Sequence, residues 1–182
     1  LADLVDGLGG RDDVRIAELA TSHRFGASIG QLAQAIRDGD ADGALDLLAA
    51  GGPHVEFVDT AQPTAALRDL LVANAMRIRA AAAAGDPAAA LAHLDRHRLL
   101  CAHRDGPSGV RHWNQQVERW LAEETGESFW AQWYLGRPVL VTANDYGLGL
   151  YNGDTGVCLL VDGSLRVAVA GADRVQEFAA SR

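Results

Sequence analysis

The sequence predicts an α/β fold in which helices and strands alternate over residues 14–136 and strands dominate from residue 137. Two observations support this prediction. Apolar residues recur at helical spacing in the first part, and short apolar runs alternate with polar turns in the second. The chain has 182 residues, 48% of them hydrophobic, enough to bury the core of one domain or of two small lobes. We therefore expect an α/β part at residues 1–136 and a β-rich part at residues 137–182.

Residues 1–8 have helical apolar spacing, and five further helices are predicted from apolar periodicity and from the residues that begin and end them. Ile29, Leu32 and Ile36 share one face of a helix over residues 27–38, and Gly39 ends that helix. The other four helices are predicted at residues 42–50, 63–84, 88–96 and 110–125.

Strands are predicted where short apolar runs lie between turn residues. They cover residues 54–59, 98–102, 138–142, 156–161 and 165–170, with Asp162-Gly163 as a tight hairpin turn. Ahead of the β-rich part, an aromatic cluster at helical spacing comprises Phe129, Trp130, Trp133 and Tyr134. We interpret this cluster as core or interdomain packing, because base-stacking aromatics usually lie on exposed sheets or loops.

The composition excludes several functions. All 16 basic residues are Arg, so the chain lacks the Lys that a P-loop NTPase places on the nucleotide phosphates. No apolar run reaches the ~20 residues that span a bilayer. Cys101 and Cys158 fit no metal or redox spacing, so we expect two reduced thiols in a cytoplasmic protein without a membrane partner. His93 and His97 lack the Glu of a zincin pattern, and no metal site is predicted.

Charge is distributed unevenly along the chain. The net charge of −8 argues mildly against a dedicated nucleic-acid surface. Residues 96–112, however, carry four Arg and three His against a single acid, Asp105. Such a stripe suits phosphate binding and suits an ordinary solvated face equally well.

The pentapeptide at residues 21–25, TSHRF, stands just before the first predicted helix. It resembles an element of superfamily 1 helicases whose Arg reaches the γ-phosphate held by the other motor domain. The resemblance nominates Arg24 as a catalytic arginine finger, a role that suits the planar, permanently charged guanidinium. The alternative is a surface Arg paired with a neighbouring acid.

Residues 99–121 predict a strand, a Gly-containing loop and a helix that begins near Gly109, which directs backbone N–H groups towards an anion. The segment resembles the strand–loop–helix of RecD-like helicases that opens the second motor domain and lies along single-stranded DNA. The resemblance assigns DNA contacts to Arg104 and to the N–H groups near Gly109. Asn114 either binds a phosphate or only fixes the loop.

The most specific resemblance lies in residues 136–161, where Asn144-Asp145-Tyr146 is followed by the heptapeptide LYNGDTG at residues 150–156. Both match the segment through which RecD helicases enter an inserted β-barrel. The match makes Asn144 a candidate DNA contact, although Ala143 stands where the family commonly has Arg or Lys. Because turns also need Asn, Asp and Gly, we interpret residues 144–156 as mainly structural.

Together these segments, in family order over about residues 11–182, identify the chain as a fragment resembling the RecD family, the exodeoxyribonuclease V alpha subunit. The resemblance implies part of a RecA-like motor domain of the P-loop NTPase type, with an inserted small antiparallel β-barrel at the C-terminal end. It implies a parent 5′-to-3′ DNA helicase that works on single-stranded DNA with RecB-like and RecC-like subunits in double-strand-break repair. ATP and Mg would bind the parent protein, and we expect the fragment alone to be inactive.

Two other interpretations stay open. The chain is alternatively a non-enzymatic module that docks on a protein partner through its Trp and Tyr residues. A conjugative relaxase that carries the same type of motor would also share these motifs.

Overall fold

The computed structural model describes residues 7, 27–60, 62–171 and 174–180. The chain divides into two compact units, residues 1–60 and 61–182. The first contains helices α1 (Ala27–Asp38) and α2 (Ala41–Ala50), and the second contains α3 (Pro63–Ala83), α4 (Pro87–Arg96) and α5 (Val110–Thr125). All five predicted helices are therefore confirmed, with bounds that differ by at most one residue. None of the described helices combines the length and the hydropathy needed to cross a membrane.

Local side-chain chemistry explains where several of these helices begin and end. The Asp40 carboxylate accepts the Gly43 N–H at 2.9 Å and caps the start of α2. Asp86 does the same for α4 by accepting the Ala89 N–H at 2.9 Å. Gly126 ends α5 in the left-handed conformation, at φ 69°. Because these signals are local in sequence, the helices could be predicted without knowledge of the tertiary fold.

The β-rich part forms one four-stranded antiparallel sheet in the order β1-β2-β3-β4. Its strands are β1 (Pro138–Leu140), β2 (Thr155–Val161), β3 (Ser164–Ala170) and β4 (Val175–Ala179). Asp162 and Gly163 both have positive φ, 48° and 75°, as a two-residue hairpin turn between β2 and β3 requires. The three predicted strands and this turn are confirmed. β4 was not predicted.

Two other strand predictions are wrong. Residues 54–59 contain no strand, and only an isolated bridge joins Gly52 to Val55. Residues 98–102 form no strand, and they pair with no strand in the described part of the chain. Alternation of apolar residues predicts the extended conformation, whereas pairing depends on neighbours that are distant in sequence.

Helices α3 and α4 pack on one face of the sheet. Ile78, Ala82 and Leu91 contact Val157 and Leu159 in a core whose members are at most 6% exposed. The opposite face of the sheet is covered by side chains from the segments that flank β1. A separate cluster joins α3 to α5 through Leu71, Trp113 and Trp120. Helix α3 therefore contributes to both clusters and links the sheet to α5.

The aromatic segment after α5 is irregular rather than helical. Phe129 is buried at 7% exposure, whereas Trp130 is 95% exposed. The predicted packing role is therefore confirmed for Phe129 and does not hold for Trp130. A side chain from α3 binds this segment.

That side chain is Arg79. Its Nη1 donates to the Leu135 carbonyl at 3.0 Å, its Nη2 pairs with the Glu127 carboxylate at 2.5 Å, and its guanidinium lies 5.4 Å from the centre of the Phe129 ring. Gly136 passes so close that a Cβ there would lie 3.0 Å from the Arg79 Cα. Gly136 also has φ +82° and donates its N–H to the Cys158 carbonyl at 2.8 Å, which starts the pairing of β1 with β2.

We predict that Arg79→Ala lowers the free energy of unfolding by about 2 kcal/mol, because it removes hydrogen bonds to a charged group that is largely buried. Equilibrium urea unfolding measures this difference. Arg77→Ala is the matched control, since Arg77 lies on the same helix, is exposed and makes no ion pair in the described part of the chain. Equal losses in the two variants would contradict the role given to Arg79.

Candidate nucleic-acid interface

The candidate arginine finger, Arg24, lies outside the described residues, and its placement stays a prediction. The other candidate residues are described. Arg104, Gly109 and Asn114 lie on the loop before α5 and on the first turns of that helix, and Asn144 lies in the loop between β1 and β2.

The loop of residues 103–109 uses the backbone N–H groups at the start of α5. Gly109 donates to the Gly106 carbonyl, Val110 to the His103 carbonyl and Arg111 to the Arg104 carbonyl, each at 3.1 Å. These N–H groups therefore have acceptors within the protein.

Gly109 is explained by the close approach of this loop. A Cβ at position 109 would lie 2.5 Å from the Asp105 carbonyl oxygen and 2.8 Å from that of Arg104. No other residue fits without moving the backbone, because real Cβ atoms do not approach this closely. The requirement for glycine is thus steric, and Gly109 shapes the loop that presents Arg104.

Arg104 is the exposed cation that this loop leaves available. Its guanidinium has no acceptor among the described residues, whereas neighbouring Arg111 pairs with Asp105 at 3.0 Å. An unpaired exposed guanidinium can form bidentate hydrogen bonds with a phosphate at little desolvation cost. Among the described residues, nothing therefore prevents Arg104 from contacting a DNA phosphate, as the resemblance predicts.

Asn114 lies on the rim of a cleft of about 460 Å³. The cleft is lined by α3, α5 and two further segments, residues 97–101 and 134–140, and its walls are mainly apolar. The Asn114 side chain is exposed and makes no hydrogen bond to another described residue. It is therefore not needed to fix the loop, which is the alternative that the sequence left open.

A polar network that sequence reasoning missed lies in the same cleft. The Tyr134 hydroxyl donates to the Glu118 carboxylate at 3.2 Å, Arg137 lies 3.6 Å from the same oxygen, and the Arg137 guanidinium stacks on the Tyr134 ring. Burial raises the pKa of Tyr134, and the Glu118 carboxylate raises it further. The phenol therefore stays protonated and can donate to Glu118. Nothing local in the sequence predicts this network, because its members come from α5 and from the segment that leads into β1.

Asn144 has partners at both ends of its carboxamide. Its Oδ1 accepts the Asn152 N–H at 2.8 Å, and its Nδ2 donates to the Tyr146 hydroxyl at 3.1 Å. Asp145 accepts the Leu148 N–H at 3.0 Å. These hydrogen bonds hold the loop in its conformation. Asn144 therefore has a structural role, as predicted for residues 144–156.

No group of three or more His, Cys, Asp or Glu side chains that could hold a metal ion occurs in the part of the chain that the structure describes. Cys158 lies in β2 and is fully buried, and burial raises the pKa of its thiol.

We predict that Asn144→Ala destabilises the protein by about 1 kcal/mol, because it removes the acceptor of a backbone N–H. Asn144→Asp keeps that acceptor oxygen and should lose less. Urea unfolding of the two variants measures the difference. Equal losses would show that the bond to Asn152 is not the reason for Asn144.

No protein-family model matches the sequence. The RecBCD enzyme subunit RecD of Mycolicibacterium smegmatis is 62% identical over 172 residues, which cover 94% of this chain and 30% of the relative. The subunit of the same name from Mycobacterium tuberculosis is 58% identical over 182 residues, covering 100% of this chain and 32% of the relative. That of Haemophilus influenzae is 38% identical over 66 residues, 34% of this chain and 10% of the relative.

The chain spans about a third of the length of the two mycobacterial relatives. The identity extends over almost all of its residues, including both units of the fold. The chain is thus a RecD-family sequence that matches one segment of these longer RecBCD subunits.

Proposed function

We propose that this chain is a segment of an ATP-dependent 5′-to-3′ DNA helicase, the RecD-type subunit of a RecBCD-type exonuclease V complex in double-strand-break repair. The observation that carries the proposal is 58–62% identity to subunits named RecD along almost the whole chain. The names of those relatives also support RecB-like and RecC-like subunits as partners.

Within that subunit, residues 1–136 would contribute to the RecA-like motor region and residues 137–182 to the inserted small barrel. The described strands support the second assignment in part, since they form an open antiparallel meander of the kind that closes into a barrel when further strands are added. The RecA-like assignment rests on the motif resemblance, because every strand pair in the described residues is antiparallel.

The nucleotide site would be shared between this segment and the rest of the subunit. A chain without Lys cannot supply the P-loop, so ATP and Mg would bind elsewhere in the parent protein. Arg24 would act on the γ-phosphate, where a guanidinium stabilises the charge that develops as the phosphoryl group is transferred.

Single-stranded DNA would pass the start of α5. Arg104 supports this role because it is exposed and unpaired among the described residues. Asn114, about one turn further along the helix, would supply a second hydrogen bond. Contacts of this kind position the strand without reading its sequence, as a translocating motor requires.

The alternative of a protein-docking module would rely on the aromatic residues after α5. Trp130 favours it, since a 95% exposed Trp suits a partner's pocket. Phe129 and Tyr134, however, pack against each other with ring centres 5.0 Å apart and serve the core. A single exposed ring offers little apolar area for a docking surface.

We predict that Arg24→Ala lowers the single-strand-DNA-stimulated ATPase rate of the natural-length protein by about 1,000-fold. ATP binding should be retained, because the finger acts mainly on the transition state. The measurement compares steady-state hydrolysis with nucleotide affinity, in the presence and absence of the partner subunits.

Arg37→Ala is the control, since Arg37 is exposed on α1 and its side chain bonds, among the described residues, to Gln34 of its own helix. Arg24→Lys keeps the charge but loses the planar fork, and it should recover little of the rate. A motor whose rate is unchanged by Arg24→Ala would exclude the finger. No DNA-stimulated hydrolysis by the unmodified protein, even with its partners, would exclude the helicase.

We also predict that Arg104→Ala weakens binding to single-stranded oligonucleotides of any sequence and reduces the slope of log affinity against log salt by about 0.7. Fluorescence anisotropy at several salt concentrations measures both quantities. Arg119→Ala is the matched control, because Arg119 is an exposed Arg of α5 whose side chain bonds to Gln116. An unchanged slope for Arg104→Ala would remove Arg104 from the interface.

A further inference from the structure

We propose that the loop between β1 and β2 carries a docking surface for an arginine-bearing segment of a partner subunit. This tyrosine surface consists of the rings of Tyr146 and Tyr151 and the carboxylates of Asp145 and Asp154. The inference rests on the proposed function only for the source of the partner, namely the RecB-like and RecC-like subunits. It does not depend on helicase activity.

The first observation is that two aromatic rings lie together in contact with water. Tyr146 is 77% exposed and Tyr151 is 51% exposed, and their ring centres are 6.2 Å apart in an edge-to-face arrangement. Neither tyrosine belongs to a core cluster of the described residues. Because packing of the core does not explain the pair, and tyrosine is enriched at protein interfaces, the pair suits contact with a partner.

The second observation is that the loop holds both tyrosines in place. The Tyr146 hydroxyl accepts from Nδ2 of Asn144 at 3.1 Å. The Tyr151 N–H donates to Oδ2 of Asp154 at 2.8 Å. Two backbone hydrogen bonds, of 2.8 and 2.9 Å, close the turn of residues 145–150. A ring that is ordered before binding loses little conformational entropy when it binds, so the loop is suited to a specific contact.

The third observation is the charge beside the rings. The sequence has no Arg, Lys or His over residues 138–165. Asp145 directly precedes Tyr146, and Asp154 binds the Tyr151 N–H. Neither carboxylate forms an ion pair with another described residue. Each ring therefore has an unneutralised negative charge next to it.

Arginines from neighbouring elements are engaged with other acids. Arg98 donates to the hydroxyl of Thr155 at 3.4 Å, but its ion pair is with Asp95 at 3.1 Å. Arg137, which precedes β1, lies 3.6 Å from the carboxylate of Glu118. The two carboxylates of the tyrosine surface are thus available to a cation from outside the chain.

The chemistry selects a cationic polypeptide rather than DNA as the occupant. The carboxylates would repel a phosphate, whereas they attract a guanidinium, which also stacks on the face of a tyrosine ring. Arginine is enriched at protein interfaces together with tyrosine. The source follows from the comparisons, because the mycobacterial relatives are named as subunits of the RecBCD enzyme.

Assembly of the natural-length protein with purified RecB-like and RecC-like subunits tests the proposal, with fluorescence anisotropy of the labelled protein as the measurement. Tyr146→Ala should weaken assembly by about 10-fold or more, the usual effect of truncating a central interface residue. Tyr146→Phe keeps the ring and should weaken assembly by about 3-fold or less. Leu70→Ala, at a 50% exposed leucine of α3, is the control and should leave assembly unchanged.

Two variants that each remove one negative charge test the electrostatic contribution. Asp145→Asn keeps the oxygen that accepts the Leu148 N–H, and it should weaken assembly by about 3-fold and reduce its salt dependence. Asp162→Asn removes the same charge from the hairpin turn at the opposite end of β2, and it should change neither quantity. Asn tolerates the positive φ of that turn. Equal effects of the two variants would overturn the proposal.

Three further outcomes would overturn the proposal. The first is assembly that is weakened no more by Tyr146→Ala and Tyr151→Ala than by Leu70→Ala. The second is unchanged assembly with weaker binding of an oligodeoxynucleotide, which would indicate base stacking. The third is a loss of unfolding free energy, in the natural-length protein without partners, as large as that of Phe129→Ala. That loss would indicate that another segment of the same polypeptide covers the rings.

Failure of the proposed function would look different. If the unmodified protein does not assemble with these subunits, both the tyrosine surface and the assignment of the partners are overturned. Loss of DNA-stimulated hydrolysis with assembly intact would exclude only the helicase. Assembly that is insensitive to Tyr146→Ala would exclude only the tyrosine surface.

Discussion

The contact of Arg79 with the segment after α5 determines how the helical and β-rich parts of the second unit join. One side chain meets a carbonyl, a carboxylate and an aromatic ring that lie within nine residues of each other. Gly136 then turns the chain against the backbone of Arg79 and starts the pairing of β1 with β2. The cleft and the polar network of Glu118 adjoin this junction.

The fold could be predicted from sequence as far as local interactions determine it. Helix bounds were predicted to within one residue, because caps such as Asp40 and terminators such as Gly126 act within a few residues. The hairpin at Asp162-Gly163 was predicted for the same reason. The lack of pairing at residues 98–102 could not be predicted, because alternation in the sequence does not determine which strands pair.

The candidate site was predictable to a similar degree. Sequence placed Arg104, Gly109 and Asn114 on one loop and helix, and the structure has them there. The sequence could not reveal that the backbone N–H groups beside Gly109 donate to carbonyls of the same loop. Nor could it reveal that both the oxygen and the nitrogen of the Asn144 carboxamide form hydrogen bonds within the loop of residues 144–152. Those facts require the path of the backbone in three dimensions, which motif spacing does not contain.

The placement of the tryptophans has a practical consequence for spectroscopy. Trp113 and Trp120 are buried on α5 with ring centres 6.4 Å apart, whereas Trp130 is 95% exposed. Emission from the buried pair should shift to longer wavelength when α3 and α5 separate, while emission from Trp130 starts out water-like and adds a constant background. The chain's fourth tryptophan, Trp133, packs against the sheet. Replacing both Trp130 and Trp133 by Phe would therefore leave an emission that reports on the packing of the helices beside the cleft.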